Sequence, residues 1–163
     1  MSAVLAALSG HPVQHFAAGE TVLAQGDRTG LLFILTEGSV EVVKDEVKVA
    51  STSEPGAIFG DLSVLLGTPH TATVRTLAPS TFHVLTDPRG FFRENPLLCV
   101  HLCELLARRL DALLQYLVDV KRQFEGHDHI GMVDQVIDTL MHRQPRARVI
   151  PRESTLRDPE IPD

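Results

Sequence analysis

One boundary, at Asn95-Pro96, divides this chain into two kinds of sequence. Before it, short runs rich in valine and threonine are separated by turns carrying Gly19, Gly26, Gly30, Gly38 and Gly56. After it, "LLCVHLCELLARRLDALLQYLVDVKRQF" continues to Phe124 without a glycine or proline. The first pattern predicts strands: "TVLAQGD", "GLLFILTEG", "SVEVVKDEVKVAS", "TATVRTL" and "TFHVLT". Within it, "VEVVKDEVKVA" reads as a hairpin with Asp45-Glu46 near the tip. The second pattern predicts one helix more than about 40 Å long, capped by Asn95, with Pro96 at its first position and Gly126 beyond its end. A sheet-forming half followed by such a helix implies an α+β chain. It would be an antiparallel β-roll, or double-stranded jelly roll, with a short N-terminal helix over "SAVLAAL" and a long C-terminal helix. A second, shorter helix is expected over "GMVDQVIDTLMHR", and residues 144–163, rich in proline and arginine, read as a flexible tail. The expected division is therefore 1–124, 125–143 and 144–163.

Composition narrows the function. The 163 residues carry a net charge of −6, which argues against a nucleic-acid partner. No apolar run approaches the roughly 20 residues of a membrane span, and the start lacks a basic leader region, so a cytoplasmic protein is expected. The cysteines are Cys99 and Cys103, which suit a reducing compartment.

The stretch "FGDLSVLLGTPHTATV", residues 59–74, places a glycine, a carboxylate, a turn of apolar helix and a short strand in succession. With "FAAGETVLAQGD", "LLFILTEGSVEVV" and "FFRENPLLCVHLCELLARRL", it resembles the cyclic nucleotide-binding domain of catabolite regulators, kinase regulatory subunits and gated channels. The resemblance runs from about Phe16 to Phe124. The family's phosphate cassette reads approximately F-G-E-L, a short helix, then R-x-A-x-V. Here it reads Phe59-Gly60-Asp61-Leu62, then His70-Thr71-Ala72-Thr73-Val74, without a gap.

The resemblance implies a ligand of the cyclic AMP or cyclic GMP class, held by Phe59, Gly60, Asp61, Leu62, Ser63, His70, Thr71 and Ala72. A cyclic phosphodiester carries one negative charge, and backbone N–H groups around Asp61 to Ser63 suit its oxygens. Asp61 takes the place of the family's ribose-binding glutamate and is one methylene shorter. Its alternative role is that of a helix-terminal carboxylate that needs no ligand. His70 takes the place of an arginine. It lacks the bidentate fork and is mostly neutral near pH 7. The loss of a charge-assisted contact costs roughly 1.5–3 kcal/mol of binding. If His70 meets the phosphate, affinity should rise as pH falls; the alternative is a pocket-lining residue. Strand parity puts Arg75 on the face opposite His70, Ala72 and Val74. After Ala107-Arg108-Arg109-Leu110, the places that reach the purine hold Leu113 and Leu114, which offer shape without hydrogen bonds.

Along the long helix, Cys103, Leu106, Leu110, Leu113, Leu117, Val120 and Phe124 alternate in steps of three and four, and Cys99 extends the series backward. This heptad seam predicts a homodimer. The cysteines read as small packing residues rather than a redox pair. Residues 125–163 are too few for the winged helix-turn-helix of dimeric regulators, so a stand-alone module without a DNA-binding domain is expected, acting through a partner protein. His127, His129 and His142 lack the remaining ligands of a metal motif, and His70 and His83 stand on separate runs, unlike a cupin's ligands. With no catalytic set in view, an enzyme is the least favoured class. The leading expectation is a nucleotide sensor or regulatory subunit with no resident cofactor. The alternative is a ligand-independent dimeric interaction module with a degenerate pocket.

Overall fold

The computed structural model describes residues 7–123 and 131–142. Among the described residues, eight strands form two four-stranded antiparallel sheets. The strands are β1 (Val13–Phe16), β2 (Thr21–Leu23), β3 (Leu32–Glu37), β4 (Val40–Lys44), β5 (Val47–Thr52), β6 (Ile58–Phe59), β7 (Thr73–Thr76) and β8 (Ser80–Leu85). One sheet has the order β1-β8-β3-β6 and the other β2-β7-β4-β5. This is the antiparallel roll expected from the sequence.

Alternation explains how the sheets pack. Along β8, Ser80, Phe82 and Val84 are buried while Thr81 and His83 between them are partly exposed. Phe82 and Val84 join Leu23, Phe33, Leu35, Val40, Phe59 and Val74 in the core. Phe82 lies at its centre, with edge-to-face contacts to Phe16 at 5.5 Å, Phe33 at 6.0 Å and Phe59 at 6.3 Å. On β3, Leu32 and Ile34 are buried as well as Phe33 and Leu35, so this strand is covered on both faces. The β4–β5 hairpin turns at Asp45 and Glu46, both with positive φ, the requirement of a two-residue primed turn. Gln25 holds that tip, its amide donating to the Asp45 carboxylate at 2.6 Å and its carbonyl accepting from the Asp45 N–H at 3.0 Å.

Four helices are described: α1 (Asp61–Leu66), α2 (Pro88–Glu94), α3 (Pro96–Gln123) and α4 (Gly131–His142). α2 was not expected. Asp87 caps it by accepting from the Gly90 N–H at 3.0 Å, with proline at the start of the helix. This corrects the role of Asn95. Its carbonyl accepts from the Leu98 N–H at 3.0 Å as α3 begins, but its side-chain amide donates back to the Phe91 carbonyl at 3.0 Å, closing α2. The chain divides into compact units at Glu104/Leu105, within α3. Of the expected N-terminal helix only its end is described, where Leu8 is fully buried. Phe124, Gly126, His127, His129 and the 144–163 tail lie outside the described residues.

In α3, Leu102 is buried, Cys99 and Leu106 are partly buried, and Cys103 is exposed. Farther along, Leu110 and Leu113 are exposed, while Leu114, Leu117 and Val120 are partly buried. None of the described helices is long and apolar enough to cross a membrane.

Candidate functional site

The cassette is built on two glycines. β6 delivers the chain to Gly60, which has φ 88° and ψ 0° and precedes α1. A Cβ there would stand 2.6 Å from the Leu31 carbonyl oxygen, so both the left-handed backbone and the close approach of two chains demand glycine. α1 ends at Gly67, also left-handed at φ 65°, whose N–H donates to the Ser63 carbonyl. Ser63 is buried and donates its hydroxyl to the Thr68 carbonyl at 2.6 Å, fixing the turn that leaves the helix. Asp61 is buried in the first turn, whose start has no side-chain cap. In general the first turn of a helix carries main-chain N–H groups without an intrahelical partner, which suit water or an anion.

Arg89, from α2, closes the other end of the cassette helix. Its guanidinium donates to the Val64 carbonyl at 3.0 Å and to the Leu65 carbonyl at 3.4 Å. These carbonyls lie in the last turn, where a cation is favoured. The one signal for Arg89 in the sequence is the helix start at Asp87-Pro88 just before it.

His70 is placed by the loop between β2 and β3. Its N–H donates to the Asp27 carbonyl at 2.8 Å, and its carbonyl accepts from the Gly26 N–H at 2.9 Å. Its Nε2 is hydrogen-bonded to the Thr29 hydroxyl oxygen at 2.7 Å, and that oxygen also accepts from the Leu31 N–H at 3.2 Å. Only 3% of His70 is exposed. Burial holds its pKa below the ordinary imidazole value, partly offset by the nearby Asp27 carboxylate. The ring is therefore neutral near pH 7 and already has a partner. A Cβ on Gly60 would be 3.7 Å from His70 Cε1, so the ring lies beside the start of α1.

The other expected site residues are distributed as follows. Phe59 is buried in the core cluster against Phe82. Leu62 and Thr71 are exposed, and Ala72 is partly buried. β7 begins only at Thr73, so His70 precedes the strand rather than sharing it. Arg75 is on the exposed side of β7 and is tied to Glu41, its Nε donating to Oε1 at 2.9 Å and its Nη2 to the same oxygen. Leu113 and Leu114 lie on the part of α3 that belongs to the second unit. A surface groove of about 730 Å³ is lined by Val13, Gln14, His15, Phe16, Glu20 and Thr21, none of them cassette residues.

Residues 13–97, more than half of the chain, match the profile of the family described as "Cyclic nucleotide-binding domain". A cAMP-dependent protein kinase regulatory subunit from Yarrowia lipolytica is 42% identical over 62 residues, covering 38% of this chain and 16% of that protein. This chain thus spans a small part of that relative's length. Among solved structures, the Thermus thermophilus Catabolite Activator Protein superimposes with a TM-score of 0.61 at 22% identity, over 86% of this chain and 81% of the other. A cyclic nucleotide-binding domain from Methylobacillus flagellatus gives 0.59 at 22% identity, over 68% of each chain. At these identities the structural likeness speaks for the fold, and the sequence profile for the family. The β-roll, the glycine-bounded cassette helix and the matched residues together show that this chain belongs to the cyclic nucleotide-binding domain family.

Proposed function

We propose that the chain is a regulatory module that takes a cyclic nucleoside monophosphate, of the cyclic AMP or cyclic GMP class, at the cassette. The observation that carries this reading is Gly60, where a left-handed glycine starts α1 with no side-chain cap. The phosphodiester would meet the first-turn N–H groups, with the helix dipole in its favour. Phe59 supports the cassette from the core, and Asp61, buried in the first turn of α1, would be the carboxylate that meets a ribose hydroxyl. The module works by binding rather than by catalysis. Closure of α1 on a ligand would pull on Arg89, which grips the last turn of α1 from α2. α2 passes through Asn95 directly into α3. A shift in the population of two cassette positions would reach the helices by this route, and from them a partner protein.

The same reading makes the module a homodimer through α3. Val100, Cys103, Ala107, Leu110, Leu114 and Leu117 recur in steps of three and four, and every one is exposed or only partly buried. A continuous apolar heptad of this kind favours a second copy of the helix. This series shares Cys103, Leu110 and Leu117 with the one read from sequence, whose Leu106, Leu113 and Val120 are likewise exposed or only partly buried.

Titration calorimetry of the full chain with cyclic AMP and cyclic GMP tests the proposal. Saturable binding of either at micromolar concentration supports it. The absence of heat and of thermal stabilisation at millimolar concentrations of both would reject it. That outcome would favour a ligand-independent interaction module, a reading supported by the buried His70 ring already bonded to Thr29.

A further inference from the structure

A phosphodiester monoanion held at the cassette is strengthened by a cation able to make charge-assisted hydrogen bonds. Neighbouring side chains are committed elsewhere. Arg75 is bound to Glu41 on the exposed side of β7. Arg89 is bound to the Val64 and Leu65 carbonyls. His70 is buried, neutral near pH 7 and bonded to Thr29. Arg28 differs from all of these. It is exposed, and the described hydrogen bond of its guanidinium is a single one of 3.3 Å to the Gly67 carbonyl. At that length, with water competing, the bond is weak.

The backbone of Arg28 is nevertheless fixed beside the cassette. The residues on either side of it both hold His70, Asp27 through its carbonyl and Thr29 through its hydroxyl. The Gly26 N–H adds a third bond to the same residue. A flexible side chain with five donors is thus anchored at its root to His70, in the segment between the cassette helix and β7.

We propose that Arg28 is the phosphate-binding cation of this site, swinging from the Gly67 carbonyl to the phosphodiester when a cyclic nucleotide binds. The inference rests on the ligand class proposed above. It assigns the charge to the β2–β3 loop and leaves His70 as the residue that positions that loop.

Calorimetry of the full chain with cyclic AMP, alongside thermal unfolding without ligand, tests it. Arg28→Ala should weaken binding about ten- to a hundredfold while leaving the ligand-free thermal midpoint unchanged. Arg28→Lys should recover part of the loss, because it restores charge without the planar fork. Arg28→Ala with His70→Arg should recover more, by supplying a guanidinium from the other side of the same contact. If wild type binds and Arg28→Ala binds equally well, the inference is overturned while the proposed function stands. If Arg28→Ala lowers the midpoint and neither second change restores affinity, Arg28 is a cap for α1 and the inference is again overturned. If wild type binds neither cyclic AMP nor cyclic GMP, the functional reading itself fails and takes the inference with it.

Discussion

Replacing Gly60 by alanine separates two physical demands that the cassette places on one residue. The first is conformational. At φ 88° the backbone lies in the left-handed region, where a side chain costs about 1–2 kcal/mol. The second is spatial. The new Cβ would sit 2.6 Å from the Leu31 carbonyl oxygen and 3.4 Å from Leu23 Cδ1, and overpacking of this kind costs about 1–3 kcal/mol more. Gly67→Ala is the control, because Gly67 is left-handed at φ 65° but has nothing within 4 Å of an added Cβ. Gly60→Ala should therefore cost about 2–5 kcal/mol, against about 1–2 kcal/mol for Gly67→Ala. Urea unfolding of both variants, with intact slopes, reads the difference directly. Gly60→Ala should also weaken any cyclic nucleotide, because relief of the clash moves β6 and the start of α1 away from Leu31. Equal destabilisation by the two substitutions would refute the argument that a close chain approach shapes the cassette.

Other consequences can be measured on the same protein. His70 is held neutral by burial, so between its depressed folded pKa and about 6.5 the unfolded chain binds more protons. Stability should fall as pH drops through that window. His70→Gln should lose that part of the slope between pH 7.5 and 5.5, and an unchanged slope would contradict the assignment. The Glu41 carboxyl is held below its usual value of 4.5, chiefly by its hydrogen bond to Arg75. Its contribution should be present above about that pH and lost as pH falls through the lowered value, so the stability difference between wild type and Glu41→Gln should shrink in acid. Leu110→Glu with Leu117→Glu should convert a sedimenting dimer into a folded monomer. A wild type already monomeric at tens of micromolar would remove the proposed helix pairing.

The parts of the fold legible in the sequence are those whose signal is local. The hairpin turn at Asp45-Glu46, the glycines bounding α1 and the breaker-free run of α3 each announce themselves within a few residues. β1 does not, because Val13, Gln14 and His15 are all exposed and show no alternation; its partner, β8, makes it a strand. β6 is two residues long and too short for any periodicity. α2 carried a readable start at Asp87-Pro88, obscured by Gly90 within its seven residues.

The candidate site divides along the same line. The resemblance to the family's phosphate cassette brings Gly60, Asp61 and His70 into one segment. The environment of His70 depends on Thr29, 41 residues away in sequence, and no pattern near position 70 announces that bond. The contacts of Arg89, and the role proposed for Arg28, depend on loops and helices that meet only when the roll closes. The opposed exposure of Arg75 was legible from strand parity, but its partner Glu41 required the pairing of β4 with β7.

The cassette is proposed to bind a cyclic phosphodiester through the first turn of α1. Backbone amide NMR during titration with cyclic AMP and cyclic GMP tests it at the atoms concerned. Saturable shifts should concentrate at the Gly60, Asp61, Leu62 and Ser63 amides, with smaller changes at Arg28 and His70. Unmoved cassette amides at millimolar ligand, or shifts confined to the β1–β2 groove, would contradict it.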